Sequence, residues 1–412
     1  MINHINISGH ITLNGSKSIL NRVLIIASYL QNKIAISHPS NCLDVTTMAD
    51  NLCKLGLKID KTNKNWIITP PKKPCRNCDL FIQDSGTAYR FLISRTAALN
   101  RTKISIQVSE QLKKRPIKPL IEVLREMGAK IEFSDDILLI KGSILEGGVF
   151  DIPANVSSQF ISSLLLIAPS YKNDLELFLD GEVVSSSYIN MTIKIMQDFG
   201  VIAEYSGKRI FIEAGQEYNE LGEYGIEPDF SSAAYFWALG ALSRSVISTN
   251  NVNHNSIQAD HGFIEILKNM GANVKIEKNK ISVTKNRLRG ISVSMRNMPD
   301  QVPTLAVLAL FADSQVIIKD IEHLKFKESN RIKALITELT HIGAKIIYRD
   351  GILKINSLDT IPGRLILKTY GDHRLVMAFH ILKIVFPQIM ISDVLSVAKS
   401  YPNFLEDVKS FK

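Results

Sequence analysis

The stretch GHITLNGSKSILNRVLIIASYL, residues 9–30, decides the fold. Its opening alternates polar and apolar residues as a half-buried strand does, Asn14 and Gly15 form a turn, and Ser16 caps a helix. Beyond Arg22 the helix is apolar nearly all round (Val23, Leu24, Ile25, Ile26, Ala27), the mark of a buried helix. Lys17, Ser18 and Arg22 occupy its first turns, where unpaired backbone N–H groups and the helix dipole favour an anion. Ser18 and Arg22 are four residues apart and share a face. A buried helix with a cationic, hydroxyl-bearing mouth is half of a phosphate or carboxylate site.

The construction recurs at residues 80–99, 149–169, 224–243, 291–312 and 365–386, each a strand, a polar elbow and an apolar helix. A second signature follows five of the six: Leu or Met, three residues, glycine, then a strand. These glycines are Gly56, Gly128, Gly200, Gly271 and Gly343, spaced by 71 or 72 residues. A sixth would fall just past Lys412, so the last copy is expected to lack its closing hairpin. The period exceeds that of ordinary solenoids and fits a strand–helix–strand–helix–hairpin module. With 412 residues, too many for one core, six modules group as three plus three, with a seam at residues 222–229.

A net charge of +9 follows from a general abundance of lysine. No dense basic run interleaved with aromatics accompanies it, which argues against a nucleic-acid partner. The longest apolar runs, such as residues 302–312, are too short to span a bilayer, and the opening MINHINISGH lacks a signal-peptide core. A cytoplasmic protein is expected. Cys75 and Cys78 form a C-x-x-C without a second pair, and Cys42 and Cys53 stand apart, so reduced thiols are expected rather than zinc.

Each elbow carries chemistry. Gly86 and Thr87, in the second, bring bare backbone N–H groups to a ligand. Lys113, Lys114 and Arg115 precede Pro116 at a helix start. Ser157, Ser158 and Gln159, in the third elbow, make an uncharged cradle for phosphate oxygens, and Ser185 to Tyr188 open the next helix similarly. Asp229 and Asp300 put acids at the fourth and fifth mouths. Lys327, Glu328 and Arg331 are spaced to share one helical face, and His373 and Arg374 stand at the sixth mouth. Asp44, entering an amphipathic surface helix, has a packing role only. Each elbow alone is explained by capping; six at equivalent helix ends are not. If two three-module domains face each other, Lys17, Arg22, Arg115, Lys327, Arg331, Arg374 and Lys399 gather around Asp300 and Glu328. Such a set suits a small, multiply anionic ligand and acid–base work upon it.

These segments resemble the 5-enolpyruvylshikimate-3-phosphate synthase family. The resemblance rests on G-S-K-S-x-x-x-R at residues 15–22, S-G-T-A at 85–88, K-R-P at 114–116 and V-S-S-Q-F at 156–160. It continues through K-E-S-N-R at 327–331, G-D-H-R at 371–374 and A-K-S-Y-P at 398–402, collinear along essentially the whole chain. The resemblance implies a two-domain inside-out α/β barrel: six βαβαββ units, three per domain, with buried parallel helices. The domains would be residues 14–227, and residues 1–13 plus 228–412 closed by the N-terminal strand.

It also implies the reaction. The enolpyruvyl group of phosphoenolpyruvate would pass to the 5-hydroxyl of shikimate 3-phosphate with loss of phosphate, in the shikimate pathway to chorismate and aromatic amino acids. No cofactor, metal or nucleic acid is implied, and a monomer is expected. Lys17, Ser18, Arg22, Ser157, Ser158 and Ser185 would hold shikimate 3-phosphate, with Gln159, Asp300 and Lys327 beside its ring. Gly86, Arg115, Arg331, Arg374 and Lys399 would clamp phosphoenolpyruvate. Asp300 would be the base at the hydroxyl, and Glu328, aided by Lys17, the proton donor at the methylene. Glyphosate would compete with phosphoenolpyruvate. Departures from the family pattern are Asp84 for Asn, His323 for Asn, Ser186-Ser187 for Lys-Pro and Phe91 for Pro. A sister transferase acting on a UDP-amino sugar is disfavoured, because residues 111–116, QLKKRP, lack its donor-loop cysteine.

Overall fold

The computed structural model describes residues 5–62, 64–134, 136–252, 255–359 and 363–411. Each apolar segment after an elbow becomes a buried helix: Lys17–Ala27, Gly86–Ala97, Ser158–Ile167, Phe230–Leu242, Val302–Ala309 and His373–Val385. Every residue of Phe230–Leu242 is buried. A helix with no polar face must be enclosed on all sides, and each enclosed Leu, Ile or Phe contributes about 1.5–3 kcal/mol.

Five four-stranded sheets share one order. Asn77–Ile82 runs parallel to Thr102–Val108, Ile137–Gly142 pairs antiparallel to the latter, and Lys130–Ser134 lies at the edge. The parallel step needs a helical crossover and the antiparallel step a hairpin, which gives the βαβαββ module. In the sixth copy only Leu365–Leu367 and Ile389–Ile391 pair, in parallel, and no hairpin follows among the described residues.

The opening strands are exchanged. Gly9–Thr12 pairs with Ile247–Asn250 of the fourth module, while Glu223–Gly225 pairs with Ile34–Ser37 of the first. The first strand of the quoted stretch therefore does not serve the helix that follows it. Two compact units result: Met1–Asn14 with Pro228–Lys412, and Gly15–Glu227. Asn14, placed by the sequence with the latter, falls with the former. Within Gly15–Glu227 the helices Lys17–Ala27, Gly86–Ala97 and Ser158–Ile167 contact one another. In the other unit Phe230–Leu242, Val302–Ala309 and His373–Val385 do the same.

The recurring glycine has a geometric cause. Gly56, Gly128, Gly200, Gly271 and Gly343 end their helices with φ between +83° and +112°, a region L side chains rarely enter. Cys75 and Cys78 are joined, correcting the expectation of reduced thiols there; their Cα atoms lie 6.4 Å apart, within reach of a disulfide. Cys42 and Cys53 are free. No helix is long and apolar enough to cross a membrane, and no group of three or more metal-ligating side chains gathers among the described residues.

Candidate active site

In unit Gly15–Glu227 the first elbow departs from expectation in one detail. Ser16 is the N-cap, but its side chain makes no cap hydrogen bond. Lys17 Nζ instead meets Asp44 Oδ2 at 2.6 Å, both side chains largely buried. Asp44, read from sequence as packing only, thus fixes the direction of the first cation. Arg22 is 2 % exposed. Its Nε donates to Thr192 Oγ1 at 2.7 Å and its Nη1 to the Ser18 carbonyl at 2.7 Å, while Nη2 reaches the Tyr188 carbonyl at 3.2 Å. Burial lowers its pKa to about 10, against a small opposing effect from Tyr188, and it remains a cation at neutral pH.

The second and third elbows are capped as their sequences imply. Ser85 Oγ accepts from Ala88 N at 3.3 Å and Ser157 Oγ from Gln159 N at 3.3 Å. Gln159 Nε2 donates to Thr87 Oγ1 at 3.0 Å, tying the two elbows together. Ser185 is held at φ +54°, and its buried hydroxyl has no hydrogen-bond partner among the described residues. Left-handed backbone at a non-glycine residue and an unsatisfied buried hydroxyl are both features that cluster at binding sites. Arg115 lies beside Gly86: a methyl built on Gly86 would stand 2.3 Å from Arg115 Nη1. Lys113 is engaged by Glu110 and Asp136, and Lys114 is exposed, so of the three cations only Arg115 reaches the elbow.

The other unit gathers a charge network. Arg331 is 1 % exposed and donates from Nη1 to Asp300 at 2.8 Å, from Nη2 to Glu328 at 2.8 Å and from Nε to Asp372 at 2.8 Å. Arg374, equally buried, donates from Nη2 to the second oxygen of Asp300 at 2.9 Å and from Nη1 to the Tyr235 hydroxyl at 3.2 Å. Lys399 Nζ lies 3.8 Å from the other Glu328 oxygen. Lys327 and Glu328 do not share a helical face with Arg331, as their spacing implied. They lie in the loop before Arg331–His341, whose N-cap is Asn330. The loop lets Glu328 fold back onto the first helical residue.

The electrostatics follow from this packing. Burial pushes the Asp300 carboxyl up, but Arg374, Arg331 and Lys327 together outweigh it and hold it well below the usual carboxylate range. Burial lowers Arg331 and Arg374, yet their carboxylates raise both above the ordinary guanidinium value. His323 is buried and neutral, pushed down to about 3 by burial and then by Lys327, and its Nε2 has no partner among the described residues.

Two positioning residues escaped the sequence reading. Asp44 is one. Asp372 is the other: fully buried, it accepts from Arg331 Nε, from Ser329 Oγ at 3.0 Å and from Arg374 N at 2.9 Å. Its only local signal is an N-cap aspartate, which capping alone explains.

Known proteins resemble this chain along nearly its whole length. The family model for EPSP synthase (3-phosphoshikimate 1-carboxyvinyltransferase) matches residues 3–408. A 3-phosphoshikimate 1-carboxyvinyltransferase from Buchnera aphidicola subsp. Cinara cedri is 35% identical, over 98% of this chain and 95% of the relative. One from Haemophilus ducreyi is 32% identical, over 97% and 95%. A solved EPSP synthase from Acinetobacter baumannii shares the fold at TM-score 0.78 and 22% identity, covering 99% of this chain and 96% of its own. The chain belongs to the EPSP synthase family.

Proposed function

We infer that this protein transfers the enolpyruvyl group of phosphoenolpyruvate to the 5-hydroxyl of shikimate 3-phosphate and releases phosphate, the shikimate-pathway step its family carries out. The observation that best supports the reading is the buried pairing of Asp300 and Glu328 with the same arginine, Arg331. Two acids held on one cation beside further cations match a reaction that moves protons on an anionic substrate.

The steps are an addition and an elimination. The 5-hydroxyl oxygen bonds to C2 of phosphoenolpyruvate, its proton passes to Asp300, and C3 accepts a proton from Glu328. In the second half the roles reverse: Glu328 takes a proton back from C3, the C2–O bond to phosphate breaks with its electron pair going to the phosphate oxygen, Asp300 gives its proton to that oxygen, and phosphate leaves. With both oxygens in ion pairs Asp300 is a feeble base. An anion that draws Arg331 and Arg374 onto its own oxygens would loosen Asp300 and raise its basicity, so donor binding and base activation are linked. Lys399 and Lys327 would add charge stabilisation for the tetrahedral intermediate. Ser157, Ser158, Ser185, Ser18 and Arg22 would hold the phosphate of the acceptor, and Gly86 and Arg115 the donor.

We place the enzyme in the cytoplasm as a monomer, acting without metal or organic cofactor. The test is phosphate release with both substrates present and with each omitted in turn. Release only with both supports the reading; release with neither dependence, or none at all, overturns it.

A further inference from the structure

Arg90 lies in the second elbow's helix, is 1 % exposed, and has no part in the mechanism above. Its Nη1 donates to the carbonyl of Gly86 at 3.0 Å and its Nη2 to the carbonyl of Pro116 at 2.8 Å. Its guanidinium carbon stands 5.8 Å from the centre of the Phe160 ring, itself fully buried in the third elbow. One cation therefore touches three of the separate motif segments. A methyl built on Gly86 would lie 2.7 Å from Arg90 Nη1 and 2.3 Å from Arg115 Nη1, so two guanidinium groups converge over the same bare glycine.

Like charges so close repel, and something must hold them. For Arg90 the two carbonyl dipoles do so. Pro116 is the residue next to Arg115, so the bond to its carbonyl fixes the height of the Arg115 loop above the elbow. We propose that Arg90 is a positioning residue that sets Arg115 over Gly86 for the donor's anionic groups, and so determines affinity for phosphoenolpyruvate without touching it. Preorganising a cation pair in this way lowers the ordering cost of anion binding. The inference rests on the enolpyruvyl-transfer reading.

The test uses Arg90→Met, which keeps bulk but cannot donate, and Arg90→Lys, which reaches one carbonyl only. Arg90→Met is expected to raise the KM for phosphoenolpyruvate about tenfold while the direct binding of shikimate 3-phosphate stays within about twofold. Added to Arg115→Ala, it should change that KM by less than about twofold, because its effect passes through Arg115. Arg90→Lys should fall between wild type and Arg90→Met, and it carries the test if the methionine variant does not fold. An unchanged KM in Arg90→Lys and any folded Arg90→Met, a fully multiplicative double variant, or equal loss of shikimate 3-phosphate binding overturns the proposal. Absence of transfer by the wild-type enzyme sinks the functional reading instead, so the two failures are distinguishable.

Discussion

The carboxylate of Asp300 bridges two buried arginines, accepting from Arg331 at 2.8 Å through one oxygen and from Arg374 at 2.9 Å through the other. The bridge makes Asp300 a stability element as well as a candidate base. Because its pKa is depressed in the folded protein, its contribution is complete above the unfolded value of about 3.9 and is lost as pH falls toward the folded value. Asp300→Asn should destabilise the protein by about 3 kcal/mol at pH 7, since it leaves two buried cations undercompensated. Below about pH 4 the gap between variant and wild type should narrow. Chemical denaturation at pH 7 and pH 3 measures it, and a gap that does not narrow refutes the assignment.

Glu328 meets Arg331 at 2.8 Å and Lys399 at 3.8 Å, so a neutral isostere keeps its shape and loses its proton chemistry. Glu328→Gln should lower turnover by about a hundredfold or more, with shikimate 3-phosphate binding nearly unchanged. Steady-state kinetics beside direct binding separates the two effects. Equal losses in both would remove Glu328 from the proton-donor role.

Gly86 is overlain by Arg115 and Arg90, and a side chain there must shift the ends of both guanidinium groups. Gly86→Ala is therefore expected to fold, to raise the KM for phosphoenolpyruvate several-fold and to abolish inhibition by glyphosate. In the wild-type enzyme glyphosate should compete with phosphoenolpyruvate. Ser109 Oγ donates to Asp84, which gives its charge a partner, and Phe91 packs under Arg22 with 5.5 Å between guanidinium carbon and ring centre. Both facts favour the direct contacts at Gly86 over these neighbours. Inhibition constants for the two proteins decide, and a resistant wild type reverses the ranking.

Asp44 holds Lys17 in a largely buried pair. Asp44→Ala should cost about 1–3 kcal/mol of stability and raise the requirement for both substrates, because the lysine loses its direction. Lys17→Met in the same background should add little. Additive effects of the two changes in thermal denaturation and in kinetics would show that the pair does not act as a unit.

Enolpyruvyl transfer should survive exhaustive chelation. Activity lost to a chelator and restored by zinc would contradict the metal-free reading.

Much of the architecture was written in local pattern. The apolar runs after Arg22 and Phe230 have no polar face, so they must be buried whatever surrounds them. Gly56, Gly128, Gly200, Gly271 and Gly343 mark helix ends because each sits at positive φ. The motif cations and acids were legible because residue type and spacing at a helix mouth already constrain chemistry.

Tertiary structure alone decided what depends on long-range pairing. The local pattern of Gly9–Thr12 does not say that it joins Ile247–Asn250 rather than its own module, because a short strand's hydrogen bonds are the same with any partner; only the family resemblance placed the N-terminal strand with residues 228–412. Lys17 and Asp44, 27 residues apart, and Arg331 and Asp372, 41 apart, pair because the folded backbone brings them together, and a buried charge must find an opposite charge or a dipole. Arg90 follows the same rule: its sequence position offers a cation on an apolar helix, and only the fold supplies the two carbonyls that settle it over Gly86.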